Sequence, residues 1–149
     1  RVLREERGLV YSVECRATSM SDLGTMDFDV TVSPEKVVEV TRILLKEITT
    51  FAKEGPTESE LAHIKKRYFF DLDSELDDPY KQVVRYAFPH LYSSEMSLQE
   101  ERELIESITA KKMLEVAEKV FEAKNLNLIL VGPYTSELKS RLEGLIHQF

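Results

Sequence analysis

At Ser33-Pro34 the apolar residues of this chain change their period, and no other feature constrains the fold as strongly. From Thr25 to Val32 they alternate strictly, with Met26, Phe28, Val30 and Val32 set against Thr25, Asp27, Asp29 and Thr31. That period of two predicts a half-buried strand. Beyond Pro34 the spacing becomes three to four, through Val37, Val40, Leu44, Ile48 and Phe51, which is the stripe of an amphipathic helix. Ser33-Pro34-Glu35 provides the start: a serine N-cap, proline at the first helical position and an acid in the first turn. The helix is expected over residues 34 to about 54, where Gly55-Pro56 ends it. Residues 9–18 read as a preceding strand, with Leu9, Tyr11, Val13 and Cys15 on one face, and residues 19–24 as the turn of an antiparallel hairpin.

Helices dominate the remainder. Thr57-Glu58-Ser59-Glu60 is a capping box, followed by Leu61, Ile64, Tyr68 and Leu72 at helical spacing, with Leu76 extending the row. Asp77-Asp78-Pro79 opens another helix through Val83, Val84, Ala87 and Phe88, which Pro89 bends or ends. Ser97 with Glu100 caps a helix to about Ile108. Thr109 caps the next, over residues 110 to about 123, with Met113, Val116, Ala117 and Val120 inward. Residues 126–131 read as an interior strand ended by Gly132-Pro133, and Ser136 caps a last helix carrying Leu138, Leu142, Leu145 and Ile146. Residues 1–7 read as the end of a helix already under way at Arg1, stopped by a left-handed Gly8.

This inventory of three strands and about six helices gives an α+β class, an antiparallel or mixed sheet layered with helices. Three strands are thin cover for so many amphipathic helices, so at least one further strand is expected upstream and the domain is expected to be truncated at its N-terminal side. A length of 149 residues suits one domain. The formal charge of −7 lacks the electrostatic footprint of a nucleic-acid binder. No apolar run approaches the length needed to span a bilayer. Cys15, the only cysteine, rules out an internal disulfide, reads as a small buried hydrophobe and fits a reducing, cytoplasmic compartment.

Local motifs offer little chemistry. His63, His90 and His147 have no second His or Cys at metal-ligand spacing, and neither H-E-x-x-H nor H-x-x-E-H occurs. There is no nucleophile elbow and no glycine-rich phosphate loop. The paired acids Glu5-Glu6, Asp77-Asp78 and Glu100-Glu101 point to different faces of a helix and read as caps and solvated surface. Lys65-Lys66-Arg67, close to Asp71, Asp73 and Glu75, reads as surface charge pairing. Composition alone makes Arg4 a solvated helix residue and Tyr11 a core tyrosine.

The segment Arg4-Glu5-Glu6-Arg7-Gly8-Leu9-Val10-Tyr11-Ser12 nevertheless closely resembles a signature, "R-E-K-R-G-L-A-Y-S", of the second domain of pitrilysin/insulinase-type (inverzincin) zinc metallopeptidases. The resemblance continues in order. It runs through Gly24-Thr25-Met26-Asp27-Phe28, the proline-started helix at Ser33-Pro34-Glu35, and Gly55-Pro56-Thr57-Glu58-Ser59-Glu60-Leu61. It ends with Ile105 to Met113 and the apolar stretch closing at Gly132-Pro133.

The resemblance implies a metallopeptidase-like (processing-peptidase-type) fold. Residues 1–149 would be most of a single C-terminal, inactive-type domain of a bilobal zinc peptidase. In that family the first domain holds zinc through H-x-x-E-H and a downstream Glu, and the second holds no metal. Several members place an Arg and a Tyr, seven residues apart, beside the substrate; Arg4 and Tyr11 have that spacing. Carried over, Arg4 orients the peptide and Tyr11 bonds the scissile region or the developing oxyanion. The implied partners are a metal-binding N-terminal domain or subunit and a peptide substrate, with no nucleic acid and no membrane. This chain alone would bind no zinc and hydrolyse nothing by that mechanism. The competing expectation is a non-catalytic structural or partner subunit of the same fold.

Overall fold

The computed structural model describes residues 2–91 and 95–149, so a helix under way at Arg1 lies outside the described residues. The chain forms two compact units, Arg1–Glu54 with Val116–Phe149, and Gly55–Glu115.

In the first unit the hairpin forms as its alternation predicts. Strands β1 (Ser12–Ser19) and β2 (Gly24–Thr31) pair antiparallel, with Ser12 opposite Thr31 and Ser19 opposite Gly24. A short 3₁₀ turn, Pro34–Lys36, then leads into helix α1 (Val37–Glu54). Ser33 holds the extended N-cap conformation, but its hydroxyl serves the Glu35 carboxylate rather than a backbone N–H. On the predicted stripe Val37, Val40 and Ile48 are buried. Leu3, Val10 and Val40 form one core cluster, which Leu9, Val13, Val30 and Leu44 extend. Val37 and Val38 of α1 form a second cluster with Leu142 of the C-terminal helix α6 (Ser136–Ile146). The N-cap of α6 is Thr135, whose hydroxyl accepts from the Leu138 N–H at 3.2 Å, one residue before the expected Ser136.

The expected third strand is corrected. Residues 126–131 join no ladder, and among the described residues the sheet contains β1 and β2 alone. A strand is defined by its neighbour, and these residues have none beside them. Leu126 and Leu130 are half-buried, while Leu128, Ile129 and Val131 are exposed, the last two 84% and 92%.

The second unit contains helices α2 (Glu58–Glu75), α3 (Pro79–Leu91) and α4 (Leu98–Ser107), and the start of α5 (Ala110–Val120). Both capping boxes form. The Thr57 hydroxyl accepts from the Glu60 N–H, the Ser97 hydroxyl from the Glu100 N–H, and each glutamate reaches back to its cap residue's N–H. Thr109 caps α5 through the Lys112 N–H. Pro89 lies inside α3, which continues to Leu91 rather than ending there. Helix α5 stops at Val120, before the expected end, and Val116 is 60% exposed rather than inward. The basic cluster is absorbed locally. Arg67 pairs with Asp71 at 3.5 Å, and Lys65 serves the end of α4. Glu101 is half-buried rather than solvated. It accepts from Arg85 and from the Tyr68 hydroxyl, while the Arg85 Nε is buried without a partner. Arg102 pairs with Asp73 and lies over the Phe69 ring, 5.5 Å from its centre.

Candidate functional site

The segment carrying Arg4 and Tyr11 begins as a π-helical turn, Val2–Glu6. Such turns are rare and concentrate at functional sites. The Arg7 N–H donates to the Val2 carbonyl at 3.2 Å and the Gly8 N–H to the Arg4 carbonyl at 3.2 Å. Gly8 then takes the left-handed conformation, φ 57°, and the Leu9 N–H returns to the Leu3 carbonyl at 2.9 Å. This reverses the chain between the helical turn and the hairpin.

Two buried residues fix the segment. Leu3 and Val10 are 5% and 8% exposed and pack with Val40 of α1. Their neighbours Arg4 and Tyr11 therefore stand outward. Arg4 is exposed, and Tyr11 is 85% exposed while its N–H donates to the Thr31 carbonyl at 2.9 Å. Tyr11 is thus not a core residue. The ladder begins only at Ser12, so the two-residue alternation does not reach back through Tyr11, and Val10 takes the core position. Neither the Arg4 guanidinium nor the Tyr11 hydroxyl bonds another described side chain, so both are free to meet a ligand.

The reading of Cys15 as buried is also corrected: it is an exposed free thiol on β1. The two-stranded sheet leaves much of β1 uncovered. Partial desolvation, and then the Asp27 carboxylate, push the thiol up, away from the reactive thiolate. Arg16 on the same strand pairs with Asp29.

Among the described residues no group of three His, Cys, Asp or Glu side chains could hold an ion. His63, His90 and His147 are all exposed, and His90 is engaged by Glu95 at 2.6 Å. No described helix is long and apolar enough to cross a membrane.

Sequence reasoning missed an aromatic group in the first unit. Phe121 lies 6.2 Å from Phe28 of β2 and 6.4 Å from Phe51 of α1, ring centre to ring centre. Phe121 follows Met113 and Ala117 at intervals of four, a spacing that marks it as inward, but the expected inward row of Met113, Val116, Ala117 and Val120 left it out.

Comparison with known proteins agrees with this segment. Residues 1–68 match the family model described as the peptidase M16 inactive domain. Over 147 residues the chain is 26% identical to a protein described as an uncharacterized zinc protease of Mycobacterium bovis. Two proteins of Mycobacterium tuberculosis with the same description match equally. The alignment covers 97% of this chain and 33% of each relative, so the chain spans about a third of the length of the curated relatives it matches. The resemblance drawn from the sequence is borne out, as is the α+β class.

Proposed function

We propose, taking residues 1–68 as a peptidase M16 inactive domain, that this chain is the non-metal half of a zinc-dependent endopeptidase. On this reading residues 1–149 are the larger part of one inactive-type domain. It closes a chamber against a metal-binding N-terminal domain or subunit and orients a peptide substrate there. Zinc and the general base belong to that partner on this reading; among the described residues no group of three His, Cys, Asp or Glu side chains could hold a metal. The reducing cytoplasm is the proposed location, on the ground of a single cysteine held as a free thiol.

The observation that supports the reading is the exposure of Arg4 and Tyr11 on a segment anchored by Leu3 and Val10. A guanidinium offers a fork of donors to a peptide carbonyl or carboxylate. A phenol offers one donor, which gains strength against an oxygen that acquires charge in the transition state. Holding both by buried neighbours lowers the ordering cost at the moment of binding.

The test is peptide hydrolysis by the native polypeptide together with its metal-bearing domain. Tyr11→Phe should lower kcat by about 100-fold, the usual loss of one oxyanion donor. Arg4→Ala should act mainly through KM, as expected for a positioning contact. Full turnover in both variants would remove the roles assigned to Arg4 and Tyr11.

A further inference from the structure

A cleft of about 310 Å³ lies within the first unit, between α1 and the end of α6. Its α1 wall carries Arg42, Lys46 and Lys53, and Glu54 is the one carboxylate side chain in its lining. At about 100° per residue, Arg42, Lys46, Thr49 and Lys53 fall within about 60° of one another around the helix. They form one cationic stripe along an exposed face.

The stripe departs from the charge pattern of the other helices. Arg67 with Asp71, Lys111 with Glu115 and Lys139 with Glu143 are opposite charges four residues apart. On α1 the pair at that spacing is Arg42 and Lys46, two like charges, an arrangement that weakens a helix. Lys46 and Lys53 have no acid three or four residues away. Among the described residues no carboxylate pairs with any of the three cations. Three cations gathered without counter-charge, on a chain of formal charge −7, are a local field that attracts an anionic ligand.

The spacing selects that ligand. From Arg42 to Lys53 the stripe runs about 16 Å, at about 1.5 Å per residue, which is too long for a single phosphate or carboxylate. In an extended peptide, side chains on one face recur about every 6.7 Å. Arg42 and Lys46 are about 6 Å apart along the helix, so carboxylates on alternate residues meet successive cations. The residues between them point the opposite way. There the cleft offers Leu145 of α6, half-buried and apolar. At about 160 Å³ per residue of extended chain, the cleft seats about two residues, and the rest of the segment follows the open stripe.

We propose that this cleft docks an extended segment of a second protein in which acidic and apolar residues alternate, and that the segment is held without being cleaved. Neither Arg4 nor Tyr11 lines the cleft, so the proposal stands apart from the roles given to them.

Fluorescence anisotropy tests it, with a labelled peptide of four Glu-Leu repeats and the native polypeptide that contains this chain. A metal chelator is present throughout, so that the probe stays intact. Each exposed charge pair is worth about a few-fold in affinity. Combined Arg42→Ala, Lys46→Ala and Lys53→Ala should therefore weaken binding by about tenfold or more. Lys46→Gln alone should weaken it by about threefold, which keeps the test available if the triple variant does not fold. Lys66→Ala, on an exposed lysine of α2, should leave it unchanged. Added salt should weaken the wild-type complex far more than that of the triple variant. Equal binding by the wild type and the charge variants would overturn the proposal. So would loss of binding in Arg4→Ala or Tyr11→Phe, which would place the probe at the substrate site. Displacement by inorganic phosphate, where chloride of the same ionic strength has no effect, would also overturn it and mean a site for small anions.

Discussion

The Lys65 ammonium donates to the carbonyl of Ile108 at 2.6 Å and to that of Glu106 at 2.8 Å. Both carbonyls lie at the C-terminal end of α4, where backbone acceptors have no helical partner and the helix dipole is negative. One cation from α2 thereby closes the end of α4 within the second unit. Lys65→Met keeps the aliphatic stem and removes the charge. It should cost about 1–2 kcal/mol, the usual range for a charge-assisted bond that is partly solvated. Urea unfolding of Lys65→Met and of Lys66→Met checks it. Lys66 is exposed and should be close to neutral. Equal stability of the two variants would show that Lys65 is only a surface charge.

The capping box of Ser97 and Glu100 carries a pH dependence. Hydrogen bonds from the Ser97 hydroxyl and then its backbone N–H hold the Glu100 carboxyl below its ordinary value of 4.5. The folded-state value is depressed, so the ionised form is the one that folding favours. The contribution is fully present above the ordinary value and is lost as pH falls through the lower, folded value. Ser97→Ala should raise the Glu100 titration midpoint toward 4.5 when followed by carboxyl carbon NMR. Glu35, lowered by the Ser33 hydroxyl, should keep its midpoint in that variant. An unmoved Glu100 would mean that the box does not persist in solution.

These caps were legible in the sequence because their partners lie three residues apart, and the hairpin was legible because β2 alternates without interruption. What was not legible depends on partners far along the chain. Residues 126–131 have the pattern of a strand, yet pattern cannot supply the neighbour that makes a ladder. A period of two places Tyr11 in the core, but the left-handed Gly8 and the late start of β1 at Ser12 give the core position to Val10. The Arg4–Tyr11 spacing carried meaning only through family resemblance. Neither composition nor periodicity distinguishes those side chains from ordinary surface.

Two left-handed glycines should respond differently to a methyl group. Gly8 has φ 57° with nothing within 4 Å of an added Cβ, so Gly8→Ala bears the conformational penalty alone, about 1–2 kcal/mol. Gly55 has φ 68°, and an added Cβ would stand 3.3 Å from the Leu114 Cβ. Gly55→Ala should therefore cost more than Gly8→Ala, since Leu114 must also shift. Denaturant midpoints of the two variants decide the order, and the reverse order would contradict the packing at Gly55.

Anchoring of the Arg4–Tyr11 segment predicts a specific consequence of emptying the core beneath it. Leu3 is 5% exposed and packs with Val10 and Val40. Leu3→Ala removes three carbons from that cluster and should cost about 2–4 kcal/mol, a transfer term plus a cavity term. Leu23, 53% exposed in the same unit, is the control: Leu23→Ala should stay within about 0.5 kcal/mol. The local effect is sharper than the global one. The Tyr11 N–H is held by the Thr31 carbonyl at 2.9 Å only while Val10 stays seated against Leu3 and Val40. Its hydrogen exchange should therefore accelerate more in Leu3→Ala than that of amides in the middle of α1. Exchange that accelerates equally at both places would mean that the segment has no anchoring of its own and unfolds with the rest of the unit.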